Sequence, residues 1–156
     1  DIELANGEFY LESGVINAGN KAVLATTPWG KLGMTICYDL RFAALYRTLA
    51  QNGAQFITIP AAFTQTTGKA HWHTLVQARA IETGCYVIAP NQCGHHADKR
   101  YSWGHSLIVN PWGEILADGG AEPGIIYADI DLSEVDLARS KIPALENDRE
   151  FTLERF

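Results

Sequence analysis

The chain has 156 residues, enough for one domain with a sizeable buried core. Charged residues make up 19% and hydrophobic residues 47%, a balance that excludes an intrinsically disordered chain. A formal net charge of −6 without a basic stripe argues against nucleic acid as a partner, and no apolar run is long enough for a membrane helix.

Three cysteines at irregular spacing make no disulfide framework, which points to a reducing compartment and a cytoplasmic protein. The first 20 residues are punctuated by Gly7, Gly14 and Gly19 and read as irregular. They open on "DIELANGEFYLESG", without a methionine, as if the sequence began inside a domain. "KAVLATTPWGKLGMTIC" predicts two short strands about a Pro28-Trp29-Gly30 turn, the second running from Lys31 to Cys37. In "RFAALYRTLAQNGA", Leu45 and Leu49 recur at helical spacing and Asn52-Gly53 supplies a stop.

"QFITIP" is a nearly continuous apolar run, as a strand covered on both faces requires, and the polar loop "AAFTQTTG" follows it. "KAHWHTLVQARAIETG" predicts an amphipathic helix closing on Gly84, and "CYVIAP" a further buried strand. "WGHSLIVNPWGEILAD" predicts a hairpin about Asn110-Pro111-Trp112-Gly113, and "GIIYADID" one more strand. "LSEVDLARSKI" predicts a helix capped by Ser133, with Glu134 and Asp136 in its first turn. Strand and helix alternate early and hairpins come late, so the fold class is α/β, a sandwich with helices outside a sheet.

The chemistry concentrates at "GMTICYDLRF". A thiol at the end of a strand, facing the first N–H groups of a following helix, favours the thiolate that attacks carbonyl carbon. The N–H of Tyr38 would point into the same space and could hold an oxyanion. Buried cysteines are more often inert packing, so the local pattern leaves both readings of Cys37 open. Cys85, opening an apolar strand, and Cys93, before Gly-His-His, read as packing. His71 and His73 stand two places apart on a helix and so cannot share one ion from it. Cys93, His95 and His96 lack a second spaced pair, so no metal site is expected. A cysteine nucleophile needs a base. "ICYDL" has no glycine-flanked elbow of the kind an α/β cysteine–histidine amidotransferase uses. Glu12, in the Gly-rich "YLESG", is either a solvated loop carboxylate or part of the site.

"GKLGMTICYDLRF", "GAQFITIPAAFTQTTGKAHWHTLVQARAIETGCYVIAPNQCG" and "SWGHSLIVNPWGEILAD" together resemble the nitrilase, or carbon–nitrogen hydrolase, superfamily. The resemblance runs from about Glu12 to Pro143. "QCGHHADKRYSWGHS" is most similar to the deaminated glutathione amidase branch and less so to the ω-amidase branch.

The resemblance implies that residues 1–156 are the C-terminal part of a four-layer αββα sandwich whose N-terminal part is missing. It places Cys37 at the nucleophile of a Glu-Lys-Cys triad, Glu12 at the second glutamate, and the Tyr38 N–H in the oxyanion hole. Ala62, Phe63 and Thr67 fall in the substrate pocket's wall. The family's lysine and general-base glutamate fall before Asp1; Lys21 and Lys31 stand at the wrong place in the motif order. Ala43 replaces a common proline, and Gln77 a common arginine. The implied reaction is hydrolysis of a small-molecule amide, deaminated glutathione or a related α-keto-acid amide, through a thioester. The implied enzyme needs no cofactor and is a homodimer or higher homo-oligomer when complete, whereas this chain alone is expected to be inactive. The alternatives are an ω-amidase, another amidase of the superfamily, or a non-catalytic binding module of the same fold.

Overall fold

The computed structural model describes residues 2, 3, 7, 9–96 and 100–156. The irregular opening contains a small antiparallel pair, β1 (Ile2–Glu3) and β2 (Phe9–Tyr10). After it, Pro28 and Trp29 interrupt a β-branched run and turn the chain back on itself. β3 (Val23–Thr27) and β4 (Gly30–Met34) therefore pair antiparallel, from Val23 opposite Met34 to Thr27 opposite Gly30. Thr27 Oγ1 closes this turn by donating to the Gly30 carbonyl at 2.7 Å.

Two right-sized crossovers follow. α1 (Ala43–Gln51) leads to β5 (Phe56–Thr58), and α2 (Gln65–Thr83) leads to β6 (Tyr86–Ala89). β4, β5 and β6 consequently run parallel. α2 begins four residues before Lys69. Thr64 caps it by accepting the Thr67 N–H at 3.4 Å, so polar residues that read as loop become the first turn. It ends at Gly84, left-handed at φ +58°, as the sequence predicts.

The hairpin of β9 (Leu107–Val109) and β10 (Ile115–Asp118) joins antiparallel to β6. The six-stranded order is β10-β9-β6-β5-β4-β3, and β7 (Cys93–His95) with β8 (Tyr101–Trp103) forms a separate ribbon. Two expectations fail at the chain's end. Residues 124–131 form no strand; Ile125 and Tyr127 are exposed, and β-propensity without a partner ladder does not make one. α3 (Ser133–Lys141) is capped by Asp131, whose carboxylate accepts the Ser133 N–H at 2.9 Å, because Ser133 already lies in the first turn.

Gly33, Ile57, Val87 and Val109 stand in line across the sheet and are buried beneath α1 and α2. Leu49, Trp72, Val76 and Ala80 meet them from the helices, each large aliphatic contributing about 1.5–3 kcal/mol on burial. Gly33 lets α1 approach, since a Cβ there would lie 3.1 Å from Leu49 Cδ1. The opposite face is open beside β3 and β4, where Val23 is 47% and Met34 50% exposed. α3 packs where β5 and β6 begin, Arg139 donating to the carbonyls of Ala54 and Thr83 at 2.7 and 3.1 Å. The other end, where β4, β5 and β6 finish, is left for loops that can carry a site.

Candidate active site

β4 stops at Met34, three residues short of the predicted Cys37. The chain instead turns into a 3-10 helix, Cys37–Arg41, before α1 begins. The α-helix expected directly behind Cys37 is therefore replaced by a single 3-10 segment, and α1 starts only at Ala43. The turn starts under strain: Cys37 takes φ +47°, a left-handed conformation that costs a non-glycine residue about 1–3 kcal/mol.

Several bonds hold it there. The Cys37 N–H donates to the Pro60 carbonyl at 2.9 Å. Asp39 closes the turn on itself: its carboxylate accepts the Ile36 N–H at 2.9 Å and its own N–H reaches the Ile36 carbonyl at 2.9 Å. At the far end Arg79, buried in α2, donates from Nε and Nη2 to the Leu40 carbonyl at 2.9 and 2.8 Å. The Arg79 guanidinium also meets Glu82 at 2.8 Å and stacks 5.2 Å above the Tyr46 ring. The Tyr38 N–H, in the first turn, has no acceptor among the described residues. Sequence reasoning missed Asp39 and Arg79. The signal for the second was an arginine on the apolar side of "ARAIE".

These loops enclose a cavity of about 640 Å³, and Cys37, Tyr38, Glu12, Ala62, Phe63 and Thr67 all line it. Glu12 arrives on a single 3-10 turn, Glu12–Gly14, whose first carbonyl accepts the N–H groups of Val15 and Ile16 at 3.0 Å. Phe63 is fixed from behind, its N–H donating to Asn91 Oδ1 at 3.0 Å and its ring lying 4.8 Å from Trp72. Asn91 in turn donates to the Gly104 carbonyl at 2.6 Å, tying the loop after β5 to the loop before β9. Thr67 bonds Thr64 through their hydroxyls at 3.0 Å. Arg41 and Arg100 also line the cavity and went unnoticed in the sequence. The Arg41 guanidinium lies over the rings of Tyr38 and Phe63, at 5.6 and 5.4 Å. Two guanidinium groups on the wall of one cavity with Cys37 suit an anionic ligand.

Lys21 and Lys31 do not line this cavity; Lys31 points to the Asn52 carbonyl at 3.4 Å. Cys85 is buried, its thiol donating to the Ala54 carbonyl at 3.2 Å, and burial pushes its pKa up. Cys93 is half-buried in β7. His71 and His73 diverge as their spacing requires, the first toward Arg41 at 3.4 Å, the second toward Asp118 at 3.1 Å. Gln77 donates to the Gly113 carbonyl at 2.8 Å and ties α2 to the β9–β10 turn. Ala43 is simply the first residue of α1.

The family model for carbon-nitrogen hydrolases matches residues 3–140. The chain belongs to the carbon-nitrogen hydrolase family. A deaminated glutathione amidase from Synechocystis is 46% identical over 149 residues, covering 94% of this chain and 55% of the relative. Among solved structures, the C. elegans NitFhit protein superposes with a TM-score of 0.88 at 43% identity, over 96% of this chain and 36% of that one. An amidase from Nesterenkonia, 25% identical with a TM-score of 0.72 over 88% of this chain and 48% of that one, carries the acetamide moiety of fluoroacetamide on its active-site cysteine. The chain thus spans about half the length of the curated carbon-nitrogen hydrolases it matches. Its α/β layers are the C-terminal part of the nitrilase-type sandwich, and the open face beside Val23 and Met34 is a sheet face of this half.

Proposed function

We propose that the complete protein hydrolyses the carbon–nitrogen bond of a small linear amide, with Cys37 as nucleophile. The observation that carries this reading is the strained Cys37 turn, φ +47°, at the end of β4 and on the wall of a cavity shared with Glu12. Strain of this kind persists where the surrounding structure over-determines it, and it displays the side chain at a strand's end. The Nesterenkonia amidase, modified on its active-site cysteine, supports the same assignment.

In the proposed reaction the Cys37 sulfur attacks the amide carbon as its proton passes to the general-base glutamate. That glutamate and the lysine are expected upstream of Asp1. The tetrahedral oxyanion rests on the Tyr38 N–H and the lysine. The glutamate returns the proton to nitrogen, the C–N bond breaks, ammonia leaves and a thioester remains. The same glutamate then takes a proton from water, which attacks the thioester and releases the acid and the thiol. Glu12 orients the lysine and the substrate amide, and Ala62, Phe63 and Thr67 shape the acyl pocket. No organic cofactor enters these steps.

For the substrate we favour deaminated glutathione or a related α-keto-acid amide, on the strength of the Synechocystis relative and the two arginines at the cavity. The protein is read as cytoplasmic and as a homodimer or higher oligomer when complete. Residues 1–156 are read as the C-terminal part of one hydrolase domain, a part that does not turn over substrate by itself. Ammonia release by the complete protein from deaminated glutathione and from 2-oxoglutaramate tests the assignment. Faster release from the first supports it, faster release from the second moves the protein to the ω-amidases, and release from neither favours a binding module.

A further inference from the structure

We propose that His73, His105 and Asp118 form a binding site for a divalent transition-metal ion, separate from the Cys37 cavity. The three residues are far apart in sequence and come from different elements: His73 from the exposed side of α2, His105 from the turn before β9, and Asp118 from the end of β10. One donor atom from each lies within 4.8 Å of the others. His73 Nε2 is 3.1 Å from Asp118 Oδ2, and His105 Nδ1 is 2.9 and 3.1 Å from the two carboxylate oxygens. None of the three lines the Cys37 cavity.

The spacing is that of ligands converging on one ion. Zinc-type bonds of about 2.0–2.2 Å in a tetrahedral shell set neighbouring donors about 3.3 Å apart, close to both His–Asp118 distances. Rotation of the two rings, whose donors lie within 4.8 Å of each other, would bring them onto the same ion. Two imidazoles and a carboxylate suit zinc, cobalt or nickel rather than magnesium or calcium. Each neutral ring would keep its proton on the nitrogen facing away from the ion, and water would fill the fourth position. With His73 31% and Asp118 34% exposed in their side chains, an ion can enter from solvent.

The ligands are also held in place from behind. His105 sits at φ +55°, a left-handed conformation for a non-glycine residue. Its N–H donates to the Gly120 carbonyl at 2.6 Å, and its carbonyl accepts the Trp72 indole N–H at 2.7 Å. Its ring stacks on Trp103 with centroids 4.7 Å apart and planes at 22°. Asp118 Oδ1 accepts the Gly120 N–H at 2.8 Å, which fixes the carboxylate. Supporting contacts of this kind orient metal ligands and raise affinity. The pairing that sequence reasoning rejected, His71 with His73, remains excluded; it is only His73 that turns toward the site.

The experiment uses the complete protein carrying Cys37→Ala, so that the reactive thiol does not compete for metal. After chelator treatment it is titrated with Co²⁺, read by visible absorption, and with Zn²⁺, read by calorimetry. One equivalent should bind and raise the thermal midpoint. His73→Gln and Asp118→Asn should each weaken binding at least about tenfold, while His71→Gln should not. His73 lies on a helix surface, so His73→Gln decides the matter if Asp118→Asn does not fold. No saturable binding, or binding unchanged in folded His73→Gln, overturns the site and leaves a carboxylate hydrogen-bonded to two histidines.

Discussion

The guanidinium of Arg79 donates two hydrogen bonds to the carbonyl of Leu40, at 2.9 and 2.8 Å, and so fastens α2 to the turn that opens on Cys37. The Leu40 side chain is fully buried, and no water can replace the arginine easily. Arg79→Met should therefore cost about 1–3 kcal/mol in chemical unfolding, the penalty for an unpaired buried acceptor. It should also slow alkylation of Cys37 by iodoacetamide in the folded protein, because the strained turn loses an anchor. Unchanged stability and an unchanged alkylation rate would show that the turn does not depend on Arg79.

Gly68 marks a close approach of α2 to the ribbon beside the cavity. A Cβ at this position would lie 2.3 Å from Trp103 Cβ and 2.4 Å from Cγ, neither of which is the far end of a flexible chain. Gly68→Ala gains helix propensity of about 1 kcal/mol, yet the clash should outweigh it. A net loss of about 1–3 kcal/mol is expected, with a lowered thermal midpoint. A stabilised Gly68→Ala protein would mean that α2 and β8 do not pack this closely.

Tyr86 joins the sheet to α3, its hydroxyl donating to Glu134 at 2.6 Å. Burial, then the bond to the Glu134 carboxylate, pushes its pKa from 10.0 up to about 12. The folded state therefore holds this proton more tightly than the unfolded chain. Its contribution to stability is complete below pH 10 and is lost as pH rises toward 12. Urea unfolding between these limits should show stability falling with pH, and Tyr86→Phe should make that fall shallower. A residual slope belongs to Tyr46 and Cys85, whose protons burial also holds more tightly in the folded state. An identical slope in Tyr86→Phe would contradict the assignment.

The fold was legible where periodicity and punctuation agreed. The apolar runs about Ile57 and Val87, the Asn110–Gly113 hairpin and the Gly84 stop all stand where the residues place them. Legibility failed where a partner decides the outcome. Ile125 and Tyr127 have strand chemistry without a ladder, and Thr64 becomes a cap only once α2 exists to need one. At the site, Cys37 and Glu12 were visible through motif and resemblance, but their shared cavity depends on the ends of three parallel strands. Arg79 acts across 39 residues on Leu40, and His73 meets an aspartate 45 residues away. No local pattern encodes either contact.

The most direct measurement is mass spectrometry of the complete protein quenched during turnover of an α-keto-acid amide. The peptide containing Cys37 should carry the acyl group, less ammonia, and the adduct should disappear in Cys37→Ser together with ammonia release. An adduct on another residue, or normal ammonia release by Cys37→Ser, would contradict the assignment of Cys37 as nucleophile.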